Sequence, residues 1–292
     1  MAVEVFRHGD WDVQVWRGSW RDDTRMLEWW SILPPTVHTM PLHRFAEMTW
    51  EEVRNADRKH SVAILPVGAV EAHGPHLPIG TDVVIAEGMA RACGEELASR
   101  GKTCFLLPPL WYTAAEFAGN FPGTVAVDGR TVSTLIRQIG TSLKGQEITT
   151  LAIANAHLDP AHLGSLREAA ADPPAGTRVV FLDLTRRQVA EQLTDEFRTG
   201  ACHAGRFEGS VVRAEAPELY REEIAASLEP NPSSLSTAIR DGLGTFEEAG
   251  GERASFGWPA DASAEEGRET VTTLGRLLAD AIMDAPTDKE AM

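Results

Sequence analysis

The sequence predicts an α/β fold in which a mostly parallel single-domain sheet is sandwiched by helices. Three observations predict it. Short, continuously apolar runs read as buried strands, the stretches between them carry helical periodicity, and the two alternate from about residue 46 onward.

The elements follow in order. Ser61–Val67 (SVAILPV) is an apolar run of strand length. A Gly/Pro/His-rich loop continues to Thr81, and Asp82 opens a helical stretch to about Arg100. Thr103–Leu107 is a second strand, stopped by Pro108 and Pro109. Between Arg130 and Leu143, apolar Val132, Leu135, Ile136, Ile139 and Leu143 recur at helical spacing, which predicts one buried face. Thr149–Ala154 is a third strand, a helix follows near Ala161–Ala170, and Arg178–Leu182 (RVVFL) is a fourth strand. Val271, Leu274, Leu278 and Ile282 mark a C-terminal helix, and residues 242–251 form a Gly/Glu-rich loop.

Residues 1–45 stand apart as a Trp-rich N-terminal extension, with Trp11, Trp16, Trp20, Trp29 and Trp30 among Arg and Asp, ahead of a catalytic domain over 46–292. Exposing so many indoles is unfavourable, so the extension is expected to pack on the domain or on a neighbouring subunit. A lid over the site is the alternative.

The formal net charge of −16, with no Lys/Arg block, argues against nucleic acid and anionic membranes as partners. No run approaches the roughly 20 apolar residues needed to span a bilayer, and Met1-Ala2-Val3-Glu4 does not open a signal peptide. Cys93, Cys104 and Cys202 fit neither a zinc-knuckle spacing nor a disulfide framework, which points to the reducing cytoplasm.

The chemistry concentrates at predicted strand ends, where open α/β sheets place their ligands. Residues 65–82 (LPVGAVEAHGPHLPIGTD) leave the first strand. Glu71 and His73 are two apart and project to one side of an extended loop, and Asp82 follows at a helix start. Carboxylate and neutral imidazole together suit a borderline divalent cation. The bland alternative is a loop whose acids cap a helix and whose histidines make ordinary hydrogen bonds. His76 suits loop orientation better than ligation. A second strand end carries His157 and Asp159, again two apart; His162, a turn beyond, faces solvent or packs. A third element, residues 202–210 (CHAGRFEGS), sets His203 and Glu208 five apart across a glycine turn.

These residues resemble the creatininase family. Residues 68–82 match its metal-binding segment, Phe121-Pro122-Gly123-Thr124 its F-P-G-T loop, and Asn155-Ala156-His157 its N-G-H turn. His203-Ala204-Gly205 with Glu208 matches its H-A-G-x-x-E element, and residues 257–259 and 264–267 match its late segment. The resemblance implies a metal-dependent hydrolase that cleaves a C–N amide bond with two divalent ions, zinc, manganese or iron. By the same resemblance Asp82 bridges the ions, Glu71 and His157 complete one shell, and His73 the other. Asp159 stands where creatininases proper have a Glu ligand, with Glu208 the other candidate to complete that shell. His203 matches the proton-transfer histidine, with Glu208 to orient it or take a proton. A homo-oligomer, a hexamer built from dimers, is also implied.

The substrate is expected to diverge from creatinine. No Trp lies between Trp111 and Trp258, whereas creatininases carry tryptophans near the H-A-G element. The family's S-x-E-H pattern reads Ala114-Ala115-Glu116-Phe117 here. A lactam, cyclic amide, formamide or short peptide is expected, with Glu116, Phe121 and Trp258 as substrate-binding residues and Trp111, Tyr112 and Phe117 as further pocket walls. Ring closure by dehydration, a lyase step, or a non-catalytic metal-binding subunit are the alternatives on the same fold.

Overall fold

The computed structural model describes residues 2–8, 11–17 and 42–284. The chain divides into two compact units, residues 1–38 and 39–292. In the first, β1 (Ala2–His8) and β2 (Trp11–Arg17) pair antiparallel as a hairpin. The packing role expected of the Trp-rich extension falls outside the described residues.

The second unit runs β3 (Leu42–Arg44), α1 (Trp50–Asn55), β4 (Ser61–Val67), α2 (Thr81–Ser99), β5 (Thr103–Leu106) and α3 (Gly129–Lys144). It continues with β6 (Thr150–Asn155), α4 (Pro160–Ala171), β7 (Arg178–Phe181), α5 (Arg187–Ala190), α6 (Asp195–Thr199) and α7 (Arg206–Glu215). Helices α8 (Glu222–Ala226), α9 (Leu235–Arg240) and α10 (Ala264–Asp284) complete it. The sheet order is β3-β5-β4-β6-β7 and every pair is parallel.

The expected strands and helices are present within a residue or two at their ends. The exception is β3, which pairs with β5 inside the stretch assigned to the extension, so the sheet begins before residue 46. Three residues carry too little pattern to reveal a strand.

Strand β4 shows why the run SVAILPV is apolar throughout. It lies between β5 and β6 and is buried along its whole length. Alternate side chains sort onto opposite faces. Val62 and Ile64 join Ile85, Met89, Leu97, Leu274 and Leu278 from α2 and α10. Ala63, Leu65 and Val67 join Val132 and Ile136 of α3 and Leu166 of α4. Two cores therefore clamp β4 and β6 and fix where their C-terminal ends release the chain.

Candidate metal centre

The segments after β4 and β6 deliver the site. Beyond β4, the chain bends back so that the N–H of Glu71 reaches the carbonyl of Ile79 at 3.0 Å. The F-P-G-T loop supports this path: Thr124 Oγ1 accepts the N–H of Ala72 at 3.2 Å, and the N–H of Val125 donates to Val70 O at 2.9 Å. Gly68 permits the next step. A Cβ there would sit 2.6 Å from the backbone N of Val83, so only glycine lets the start of α2 close onto the end of β4. Asp82, in the first turn of α2, is thereby brought to Glu71 and His73.

Strand β6 supplies His157. Asn155 clamps its turn: Oδ1 accepts the N–H of His157 at 3.3 Å, and Nδ2 donates to His157 O at 2.7 Å. His162 is buried behind it, its ring centroid 4.8 Å from that of His157 and its Nε2 2.8 Å from Asn155 Oδ1. The third contribution precedes α7. Ala204 adopts φ 51°, a left-handed conformation uncommon for a non-glycine residue, between His203 and the helix start. Glu208 Oε2 accepts the N–H of Ala204 at 2.6 Å, holding that bend in place.

Glu71, His73, Asp82, His157, His203 and Glu208 converge, all buried. His157 Nδ1 lies 3.3 Å from Glu71 Oε1 and 3.1 Å from Asp82 Oδ2. His73 Nε2 lies 3.3 Å from Asp82 Oδ1, 3.6 Å from Glu208 Oε2 and 3.7 Å from Glu71 Oε1. His203 Nδ1 is 3.8 Å from Glu71 Oε1. Two groupings share Asp82: Glu71, Asp82 and His157, and His73, Asp82 and Glu208, each with donor atoms within 4.8 Å of one another. A third joins Glu71, His73 and His203.

Backbone carbonyls set the tautomers. His73 Nδ1 faces Glu71 O at 3.1 Å, His157 Nε2 faces Ala114 O at 2.7 Å, and His203 Nε2 faces Ala72 O at 3.0 Å. A carbonyl only accepts, so in each neutral ring that nitrogen carries the proton and the other turns a lone pair toward the carboxylates. Such outer hydrogen bonds are typical of metal-ligating histidines. Glu71 Oε2, His73 Nε2 and Asp82 Oδ2 are buried with no hydrogen-bond partner, although they belong to residues whose ligand-type atoms converge. This donor set fits divalent cations.

The electrostatics agree. Burial opposes charging His73, yet the carboxylates of Asp82, Glu208 and Glu71 outweigh it and raise its pKa to about 10. His157 is likewise raised well above the usual value, against burial, by Glu71 and Asp82. Asp82 is held well below the carboxylate range by His73 and His157 despite its burial, whereas burial pushes Glu71 up. Burial also raises Glu208, to about 8. In the metal-free chain, protons on His73 and His157 therefore supply the positive charge that the carboxylates demand. Burial and the nearby charge of His73 keep His203 neutral, with a pKa well below the ordinary value.

Asp159 is engaged elsewhere. Its Oδ1 caps α4 by accepting the N–H groups of Ala161 at 2.8 Å and His162 at 3.3 Å, and its Oδ2 accepts the N–H of Phe117 at 3.0 Å. Glu208 faces His73 alongside Asp82 and Glu71, and it accepts the Ala204 N–H.

A cavity of about 280 Å³ opens onto the site and is lined by Glu71, Asp82, His157, His203 and Glu208. Phe117 lines it, but Glu116, Phe121, Trp258, Trp111 and Tyr112 do not. Glu116 is exposed, as are Trp111 and Tyr112, while Phe121 and Trp258 pack into the aromatic cluster behind. Phe246, from the Gly/Glu-rich loop, is the wall that the sequence reading missed, its ring centroid 4.2 Å from that of His203. Nothing in the local pattern of that loop marked a phenylalanine for the site.

Comparison with known proteins places this arrangement. The Creatininase family (creatinine amidohydrolase) profile matches residues 46–282. A mycofactocin precursor peptide peptidase of Mycobacterium tuberculosis (strain CDC 1551 / Oshkosh) is 29% identical over 212 residues, 70% of this chain and 78% of that protein. The creatinine amidohydrolase of Pseudomonas putida is 29% identical over 119 residues, 39% of this chain and 44% of that one. A crystal structure of creatinine amidohydrolase shares the fold with a TM-score of 0.59 at 24% identity, covering 83% of this chain and 98% of that one. Other solved creatininases include a Zn–Zn type and a manganese form. The chain thus belongs to the creatininase family of hydrolases acting on carbon–nitrogen bonds.

Proposed function

We propose that this protein hydrolyses an amide bond of a small molecule or short peptide at a pair of divalent cations. Glu71, Asp82 and His157 would hold one ion, and His73, Asp82 and Glu208 the other, with Asp82 bridging. The observation that carries this reading is the set of buried, unpartnered donor atoms on Glu71, His73 and Asp82, which suit a divalent cation. Zinc, manganese and iron all suit the donors.

When bound, such a pair lowers the pKa of a water and polarises the amide carbonyl. The rest falls to the chain's own residues. His203 starts neutral, its Nε2–H tied to Ala72 O and its Nδ1 turned to the site. It can take a proton on Nδ1 and pass it to the departing amine, a poor leaving group without one. The Ala72 carbonyl keeps the ring from rotating during that exchange. Phe246 against one face of His203 restricts water around it.

The mycofactocin peptidase relatives favour a peptide or peptide-like amide as the substrate. The three free cysteines accord with a cytoplasmic site of action, and among the described residues no helix is long and apolar enough to cross a membrane. Assembly as a homo-oligomer is part of the same reading.

Metal analysis with product mass spectrometry tests the proposal. Two ions per chain and a product gain of one water are expected, and His73→Ala is expected to lose turnover and the ion it shares with Asp82 and Glu208. A fully metallated, active His73→Ala chain would overturn the assignment. Loss of one water on turnover would replace hydrolysis by ring closure.

A further inference from the structure

The cavity is not uniform. Its buried part carries the acidic and histidine cluster, while two exposed arginines, Arg198 of α6 and Arg240 of α9, also line it. The lining also includes apolar Phe117, Leu158, Phe197, Leu235, Ile239 and Phe246, together with Asp159. Helix α9 presents Leu235, Ser236, Ile239 and Arg240 to the space, a single face of a short helix.

Among the described residues Arg240 is one of a minority of arginines, with Arg130, Arg253 and Arg268, whose guanidinium makes no ion pair or hydrogen bond, and of these it is the one that lines the cavity. With 43 acidic residues against 27 Lys and Arg, most surface arginines find a carboxylate. Arg91 pairs with Glu215, Arg100 with Asp280, Arg187 with Glu191 and Arg276 with Asp280. Arg198 spends one N–H on Leu193 O at 3.2 Å and keeps the remaining donors of its fork. A guanidinium facing a ligand cavity matches a carboxylate bidentately.

Resting on the amide-hydrolase reading, we infer that the substrate is an amide with a free carboxylate and an apolar side group, and that Arg240 with Arg198 binds the carboxylate. The apolar group lies against Phe117, Phe246 and Ile239, and the scissile amide reaches the buried cluster. At about 280 Å³ the cavity lies just below the range of roughly 300–1,000 Å³ typical of ligand pockets. An N-acylated amino acid or the terminal residues of a short peptide match that size.

Calorimetric titration of the zinc- or manganese-loaded chain with N-acetylphenylalanine and with its neutral amide tests this. The acid is expected to bind at least tenfold more tightly than the amide. Arg240→Ala is expected to abolish that preference, Arg240→Lys to keep part of it, and Arg198→Ala to weaken it. A preference that survives Arg240→Ala overturns the proposal, because a carboxylate held by the cations would ignore the arginine. Equal binding of acid and amide by the unaltered chain overturns it as well. Turnover of a dipeptide and its C-terminal amide separates the two readings. If the arginine-dependent preference appears but neither compound is cleaved, amide hydrolysis falls and carboxylate recognition stands.

Discussion

Glu196 Oε1 accepts the backbone N–H of Trp258 at 2.8 Å, across 62 residues of sequence. The same carboxylate accepts the N–H of Arg206 at 2.8 Å and that of Phe207 at 2.5 Å. It ties α6, the first residues of α7 and the loop at Trp258 into one block beside the site. Burial raises its pKa while the three N–H groups pull the other way. Glu196→Ala leaves those donors buried and unmet, and is expected to lower stability by about 2–3 kcal/mol in urea unfolding. Glu196→Gln keeps an acceptor and is expected to lose less.

Asp159 offers a sharp contrast between capping and ligation. Asp159→Ala removes the N-cap of α4 and the acceptor for Phe117 N–H, and is expected to lower stability by about 1–2 kcal/mol. Thermal unfolding reads that change. Elemental analysis is expected to find two ions per chain still present, whereas loss of one would restore Asp159 as a ligand.

Because Asp82 stands in both groupings proposed to hold an ion, Asp82→Asn is expected to empty both positions. His157→Ala is expected to spare the ion held by His73, Asp82 and Glu208. Metal content after dialysis against a weak chelator distinguishes them. In either variant kcat/KM is expected to fall by at least a hundredfold.

His76 predicts a pH dependence. Burial, with smaller contributions from His73, Arg221 and Arg253, lowers its pKa from 6.5 to about 4. Between those values the unfolded chain binds the proton and the folded chain does not, so stability rises with pH. Its contribution is complete above about pH 6.5 and is lost as pH falls toward 4, at no more than about 1.4 kcal/mol per pH unit. Urea unfolding of metal-free protein is expected to show a shallower acid-side slope for His76→Gln. An unchanged slope would assign the acid sensitivity to other groups.

Much of the fold and site was legible because the strong signals are local. The buried run Ser61–Val67 and the periodic face of α3 each carry their own pattern. Glu71, His73 and Asp82 sit within one loop and helix start, so chemistry and spacing coincide. What stayed hidden depends on partners far along the chain. β3 gains its identity from β5, Phe246 reaches His203 from an irregular loop, and Glu196 serves three backbone donors in other segments. For Asp159, residue type and spacing suit a ligand and a helix cap equally well, and only the start of α4 shows the N–H groups that its carboxylate accepts. Aromatic residues near the motifs, Phe121 and Trp258, look like pocket walls by composition but are turned into the cluster behind.

The candidate ligand groups leave the ends of β4 and β6 and the starts of α2 and α7, and come together only when the sheet and its helices have assembled. No stretch of the extended polypeptide can grip an ion as the finished enclosure does. On the proposed two-cation reading, capture of cations is coupled to maturation of the native state, and the heat tolerance of the molecule is expected to track how much free metal its surroundings contain.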